Sequence, residues 1–333
     1  MTDFMNVIKE LSKIDSPAGY EQTFAKKVTR LVTAKNVSFR QDKMGSLIFS
    51  REPQNGVLFA AHMDEPCIIA TSFTNSGRIK FDTVGSIPSP ALLGKRVRFE
   101  NTLGVIECVP PHLLSGDDLS KIPDTKDMCI DIGAKDKKEA TDHVSYGDMG
   151  VFDGDFKEFG DGFFCGKGLG RLFSCAVLIC ILNDTDICGD FLFAVKNEAS
   201  FVGAKTAAFS GNYQKAVILD AAESFDFGGS SEKAGCSVGK GAVIAFKNGS
   251  VIFDEGLCKN AFSAAEQKGI CIQPLENRQT PNCAGVIQTA GSGIKVMSIL
   301  LAVRNLCSDR EAACKKDVTE CIRLLTVLGE QGI

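Results

Sequence analysis

The chain has no tryptophan, three tyrosines and three histidines in 333 residues. Its aromatics are nearly all phenylalanine, 23 of them scattered along the chain, which suits core packing and not a base-stacking platform. With only His62, His112 and His143 available, any metal site must draw mainly on carboxylates or accept sulfur. A surplus of positive charge is also missing: 37 lysines and arginines against 41 aspartates and glutamates give a formal charge of −4. The basic residues form no patch, so neither nucleic acid nor an anionic membrane is an expected partner. No apolar run reaches about 18 residues, so a membrane span is not expected. The opening residues Met1-Thr2-Asp3-Phe4-Met5 carry an acid and lead into an amphipathic pattern, which is not the layout of an export signal.

What is present is globular: 44% apolar and 23% charged residues, in a chain long enough to bury a large core. The fourteen cysteines include no CxxC pair, and Cys175, Cys180 and Cys188 lie in or beside apolar helical text. They read as reduced, buried small hydrophobes, which points to the cytoplasm; a chain of this length needs no disulfide staples.

Helical spacing of Phe4, Val7, Ile8 and Leu11 predicts a first helix, broken at Asp15-Ser16-Pro17-Ala18-Gly19 before a second that carries Phe24, Val28 and Leu31. Strand text follows at 37–41, 46–50 and 57–61. From about Pro66 to Gly160 the texture changes to short strands (78–81, 96–99, 104–108) between glycine and proline turns, as in a small all-β domain. From Cys165 onward helix and strand alternate: helix 172–182, strand 190–195, helix 203–209, strand 215–220, and a closing helix with Cys314, Val318, Cys321, Ile322 and Leu325 on one face. The expected fold is therefore α/β, a mixed sheet with helices on both faces (residues 1–65 and 161–333), interrupted by a barrel-like β domain at 66–160.

Three apolar strands run straight into ionisable groups: 58–61 into His62 and Asp64, 191–195 into Glu198, and 217–219 into Asp220. Open α/β sheets place ligands beyond the carboxyl ends of their strands, so these groups are candidates to converge and to bind zinc, cobalt or manganese. Solvated acids at strand ends are the plainer reading.

Several segments resemble, in order, landmarks of the M42 metallo-aminopeptidases: Pro17-Ala18-Gly19-Tyr20-Glu21, Ala61-His62-Met63-Asp64-Glu65, Pro111-His112-Leu113, Asp131-Ile132-Gly133-Ala134, Gly166-Lys167-Gly168-Leu169 and Asn197-Glu198. The likeness continues through Gly203-Ala204, Leu219-Asp220, Val303-Arg304 and Lys316-Asp317-Val318. It implies a phosphorylase/hydrolase-like α/β domain, an inserted β domain that helps assembly, a cytoplasmic homo-oligomer between a dimer and a dodecamer, and two metal ions acting on peptide N-termini.

The resemblance also assigns positions. His62, Glu198 and Asp220 match metal ligands, and Asp64 matches the acid that orients the histidine. The family's bridging aspartate falls at Gly170, with Arg171 beside it; its general-base glutamate falls at Asn197; its last histidine ligand falls at Cys307. A Gly-Thr-Asp-Ala segment is changed to Pro281-Asn282-Cys283-Ala284. Glycine offers no ligand atom, and an amide cannot take a proton from water at neutral pH. A cysteine thiolate can still bind zinc.

The first expectation is thus an M42-like homologue impaired or inactive as a dinuclear peptidase, holding fewer than two zinc or cobalt ions per chain, or none. An active amide hydrolase with a remodelled or mononuclear site, using His62, Glu198, Asp220 and Cys307 on a peptide, is the second. A non-catalytic binding or scaffold subunit is the third. Arg171 is expected either in a structural ion pair or as a receiver of substrate carboxylate or phosphate. His112 is expected to be structural or interfacial and His143 at the surface, while Gly228-Gly229-Ser230 and Gly239-Lys240-Gly241 lack the spacing of a phosphate loop.

Overall fold

The computed structural model describes residues 2–110, 113, 115–116, 122–227, 235–249, 251–276 and 281–333. His112 and Gly228-Gly229-Ser230 lie outside them. In chain order, helices α1 (Phe4–Ser12) and α2 (Gln22–Leu31) precede strands β1 (Ser38–Gln41), β2 (Leu47–Arg51) and β3 (Val57–His62). Next come β4 (Cys67–Phe73), β5 (Ile79–Val84), β6 (Arg96–Phe99), β7 (Thr102–Glu107), β8 (Cys129–Asp131), helix α3 (Lys137–His143) and β9 (Met149–Phe152). The chain then forms β10 (Lys157–Phe159), β11 (Phe163–Gly166), α4 (Leu169–Asp184), β12 (Gly189–Ala194), α5 (Val202–Ser210) and β13 (Lys215–Glu223). It closes with β14 (Ala242–Ala245), β15 (Lys247–Asn248), β16 (Val251–Ile252), α6 (Glu255–Lys268), β17 (Ile272–Leu275), α7 (Ala284–Gln288), β18 (Lys295–Val303), β19 (Glu311–Cys314) and α8 (Lys315–Glu330).

Eight strands form one mixed sheet in the order β1-β2-β12-β3-β13-β18-β14-β17. Its four central strands, β12, β3, β13 and β18, are parallel to one another. Strands β3 and β12 are buried at every position, as strands covered on both faces must be. Around α4 pack α1, α2 and α8, while α5 and α7 contact each other and the strands β12 and β18.

Helix α4 is buried from Leu169 to Leu182, because its text is apolar on every side. Its last carbonyls need donors, and the Arg51 guanidinium supplies them, donating to Leu182 O and Thr185 O at 2.6 Å each.

Six strands, β4-β5-β8-β7-β6-β9, close into a barrel between β3 and β10. Ile68, Phe81, Val97, Phe99, Ile106 and Ile130 fill it. The expectation of strands alone missed α3, a seven-residue helix begun by the Asp136 carboxylate accepting from Glu139 N at 2.9 Å. Seven residues are too few to show a helical period. His143 is the last residue of that helix and is exposed. Two ion pairs tie the barrel to the sheet domain: Lys95 with Asp309 at 2.7 Å, and Arg98 with Asp15 at 2.9 Å.

Arg304, just past β18, makes a two-pronged pair with Asp226, just past β13, at 3.0 and 2.7 Å. The guanidinium holds the Asp226 carboxyl below its ordinary range. A depressed folded pKa means the stabilisation is present above the unfolded carboxylate pKa and is lost as pH falls through the folded one. Asp226→Asn should therefore lower the denaturation midpoint at neutral pH, and its difference from the parent should shrink as the medium is acidified. A difference independent of pH would contradict the pairing.

Candidate functional site

The four parallel strands deliver their C-terminal ends to one place, where open α/β sheets bind ligands. Strand β3 ends at His62, β12 leads into Asn197 and Glu198, β13 carries Asp220, and β18 leads into the loop that holds Cys307. The first turn of α4 supplies Gly170 and Arg171. His62, Asp64, Gly170, Arg171, Asn197, Glu198, Asp220 and Cys307 all line one cavity of about 340 Å³. Of the nine positions singled out, Cys283 alone is not on that wall: it is buried at 4% exposure, and Pro281 lines the cavity from that segment.

Asp64 is fully buried, and its carboxylate accepts the backbone N–H of Asn197 at 2.9 Å and of Glu198 at 2.8 Å. These bonds tie the end of β3 to the turn after β12. The His62 ring meets Asp64 chiefly through the backbone: Nδ1 lies 3.0 Å from Asp64 O and 3.7 Å from its carboxylate. Nε2 lies 3.6 Å from Asp220 Oδ1. Burial alone would push the imidazole pKa down, but Asp220 and Asp64 outweigh it and raise it to about 10.

The turn after β12 is strained, with Lys196, Ser200 and Phe201 in the left-handed region at φ 54°, 66° and 58°. On the barrel side, the corner after β5 closes over Glu198. Gly85 has φ 98°, and a Cβ there would sit 2.4 Å from Glu198 Oε2. The left-handed φ favours glycine there, and any Cβ would force the Glu198 carboxylate to move.

Position 170 faces the centre. A Cβ built on Gly170 would lie 3.2 Å from Asp220 Oδ1 and 3.6 Å from His62 Nε2. A side chain on that carbon would abut both groups, and glycine leaves the space without a donor atom.

Arg171 does not turn into that space. It is 1% exposed, donates to Glu65 Oε1 at 2.9 Å and to Ile14 O at 3.3 Å, and lies over the Phe24 ring at 4.7 Å. Lys167 reaches the other oxygen of Glu65 at 3.3 Å and Asp15 at 2.7 Å. Of the two uses open to Arg171, the geometry shows the structural ion pair.

The sequence reading passed over Glu311, which also lines the cavity at 2% exposure. Its two oxygens accept from Leu169 N at 2.5 Å and Cys307 N at 2.8 Å. Burial pushes its carboxyl up to about 8 against those two donors, with Glu65 adding to the rise. Its setting, Ser308-Asp309-Arg310-Glu311, reads as solvated loop text and carries no periodic signal.

Fold and site placement together define an α/β protein with a cavity at the carboxyl ends of its central parallel strands. A sequence profile described as M42 glutamyl aminopeptidase matches residues 45–324, and the chain belongs to that family. It is 28% identical over 327 residues to an aminopeptidase-like protein of Acetivibrio thermocellus, covering 97% of each chain. A TET aminopeptidase from a marine sediment archaeon of the Thaumarchaeota superposes with TM-score 0.90 at 27% identity, covering 99% of both chains. The TET1 peptidase of Pyrococcus horikoshii superposes at 0.84 with 28% identity, over 98% of this chain and 99% of that one; it can assemble into a tetrahedron or a large octahedral shell. No helix among the described residues is long and apolar enough to cross a membrane.

The dinuclear centre that the family resemblance implies can be tested against these side chains. His62, Glu198 and Asp220 carry donor atoms, Cys307 offers sulfur, and position 170 offers nothing to join two ions. Among the described residues, no three His, Cys, Asp or Glu side chains are grouped so as to hold an ion. The residues present do not fit a carboxylate-bridged metal pair.

The buried Arg171–Glu65 pair gives a stability test. Removing one partner of such a pair leaves a charge without compensation, at a cost of about 3–5 kcal/mol. Arg171→Met should destabilise the protein near the lower end of that range, because Lys167 still faces Glu65. A loss under about 1 kcal/mol in denaturant titration would show that the pair contributes little.

Proposed function

We propose that this chain is an M42 homologue whose dinuclear peptidase centre has been dismantled, so that ordinary aminopeptidase activity is absent or strongly impaired. The observation that carries the reading is Gly170, whose missing side chain would abut Asp220 and His62. Asn197 supports it independently. It lines the cavity at the general-base position, its Oδ1 is buried without a hydrogen-bond partner, and an amide cannot accept the proton of an attacking water. Loss of a general base alone typically lowers rate by ~10²–10⁴-fold.

In this reading the chain is a cytoplasmic homo-oligomer. Assembly of the Pyrococcus horikoshii relative into closed shells supports it. The inserted segment 66–160 is the assembly element and residues 1–65 with 161–333 the cavity-bearing domain. A peptide is the ligand class the cavity inherits. One observation favours the second reading, a mononuclear zinc or cobalt hydrolase: His62 Nε2 and Asp220 Oδ1 face each other at 3.6 Å, with Glu198 and Cys307 on the same cavity wall.

Elemental mass spectrometry on protein incubated with zinc or cobalt and desalted tests both. The proposal expects fewer than one ion per chain and no release of leucine or glutamate from peptides. About one ion per chain with chelator-sensitive turnover, lowered by Cys307→Ser, would establish the mononuclear hydrolase instead. About two ions would refute the reading of Gly170. The combined replacement Gly170→Asp, Asn197→Glu and Cys307→His is expected to restore metal uptake to about two ions per chain and to raise peptidase activity by at least ~10²-fold.

A further inference from the structure

We propose that Glu311 is the positioning residue of the cavity: its buried carboxylate holds the N-terminus of α4 and the Cys307 loop together, and so fixes positions 170 and 307 relative to each other. The two elements are remote in sequence; the β11–β19 ladder brings them together as far as Gly166 opposite Glu311, and beyond it the Glu311 side chain bonds to both. Helix α4 begins after Gly168, which has no side chain to cap it, and the N–H of its first residue, Leu169, donates to Glu311 Oε2. The first N–H groups of a helix have no partner within it, so a buried acid 142 residues away does the work of an N-cap and also faces the positive end of the helix.

The other oxygen acts on the loop. Arg304 and Ala312 exchange backbone hydrogen bonds at 2.9 and 3.0 Å, closing residues 305–311 into a hairpin-like turn. Inside that turn Asn305 and Cys307 are left-handed, at φ 56° and 61°, a conformation that is strained for a residue such as cysteine. The bond from Cys307 N to Glu311 Oε1 holds the second of them in place. Burying a carboxylate is expensive, and a residue serving packing alone would be apolar. The barrel braces the same turn from outside through Lys95 and Asp309. The role applies to the cavity whatever ligand it takes, and does not depend on whether metal is bound.

The cysteines provide an internal ruler. In the intact protein, alkylation by iodoacetamide is followed cysteine by cysteine through peptide mass, with fully buried Cys175 and Cys321 reporting global opening and exposed Cys271 reporting reagent strength. Glu311→Gln keeps one acceptor oxygen and Glu311→Ala keeps none. The proposal expects the rate at Cys307 to rise about tenfold in the Ala variant and less in the Gln variant, with Cys175 and Cys321 unchanged. An unchanged Cys307 rate overturns it, as does a parallel rise at Cys175 and Cys321, which would mark Glu311 as a general stabiliser. Should neither variant fold, hydrogen exchange in the unsubstituted protein decides: the Leu169 and Cys307 amides must be protected and open together, and fast exchange at either one refutes the link.

Discussion

The β3–β12 side of the cavity depends on a buried carboxylate, that of Asp64. Parallel strands β3 and β12 lie side by side with Ala194 opposite His62, so their ends leave the sheet together. Nothing in the sheet dictates how the chain turns after that point. Asp64 does so by accepting two successive N–H groups from the β12 turn, which places Asn197 and Glu198 over the end of β3. The turn pays for this with three left-handed residues, Lys196, Ser200 and Phe201, each a local cost that the rest of the fold must offset. The barrel corner at Gly85 then closes on Glu198, and the cavity has its third wall.

Several of the buried charges in this region are met by the chain itself. Glu65 is met by Arg171 and Lys167, Asp64 and Glu311 by backbone N–H groups, and the His62 ring by Asp64 O and Asp220. Buried carboxylates with such partners do not need a metal ion to make their burial tolerable. The fold around position 170 is thus held by contacts within the chain, with glycine at that position.

Much of the architecture was legible in the residues. Three of the four central strands, β3, β12 and β13, and helix α5 announce themselves by apolar runs bounded by charged or glycine turns, and α4 by its long apolar text. His62, Glu198 and Asp220 were legible because each lies at or within a few residues of the end of an apolar run. Helix α3 was not, being shorter than two turns, and neither were β14, α6, β17 and β18, whose text the periodicity reading left aside. Glu311 escaped for a different reason. A residue whose work is to accept two backbone N–H groups from distant segments leaves no mark on its own neighbours, so charged loop text hid a fully buried acid. Arg171 shows the converse: its adjacency to Gly170 in sequence suggested a cation in the cavity, but successive helical residues point about 100° apart, and the guanidinium lies against Phe24 and Glu65.

Glycine at position 170 is unfavourable on helical grounds alone, costing about 1 kcal/mol relative to alanine inside a helix. Space does not demand it either. The atoms a Cβ would meet lie at 3.2 Å or beyond, unlike those at Gly203 or Gly241, where backbone carbonyl oxygens would stand at 2.3 and 2.0 Å. Alanine would fit with an adjustment of a few tenths of an ångström in the Asp220 carboxylate. Neither packing nor propensity therefore accounts for the residue. What glycine does there is leave open the space beside Asp220 and His62, where an aspartate would add one more acid to a cavity already lined by Asp64, Glu198, Asp220 and Glu311.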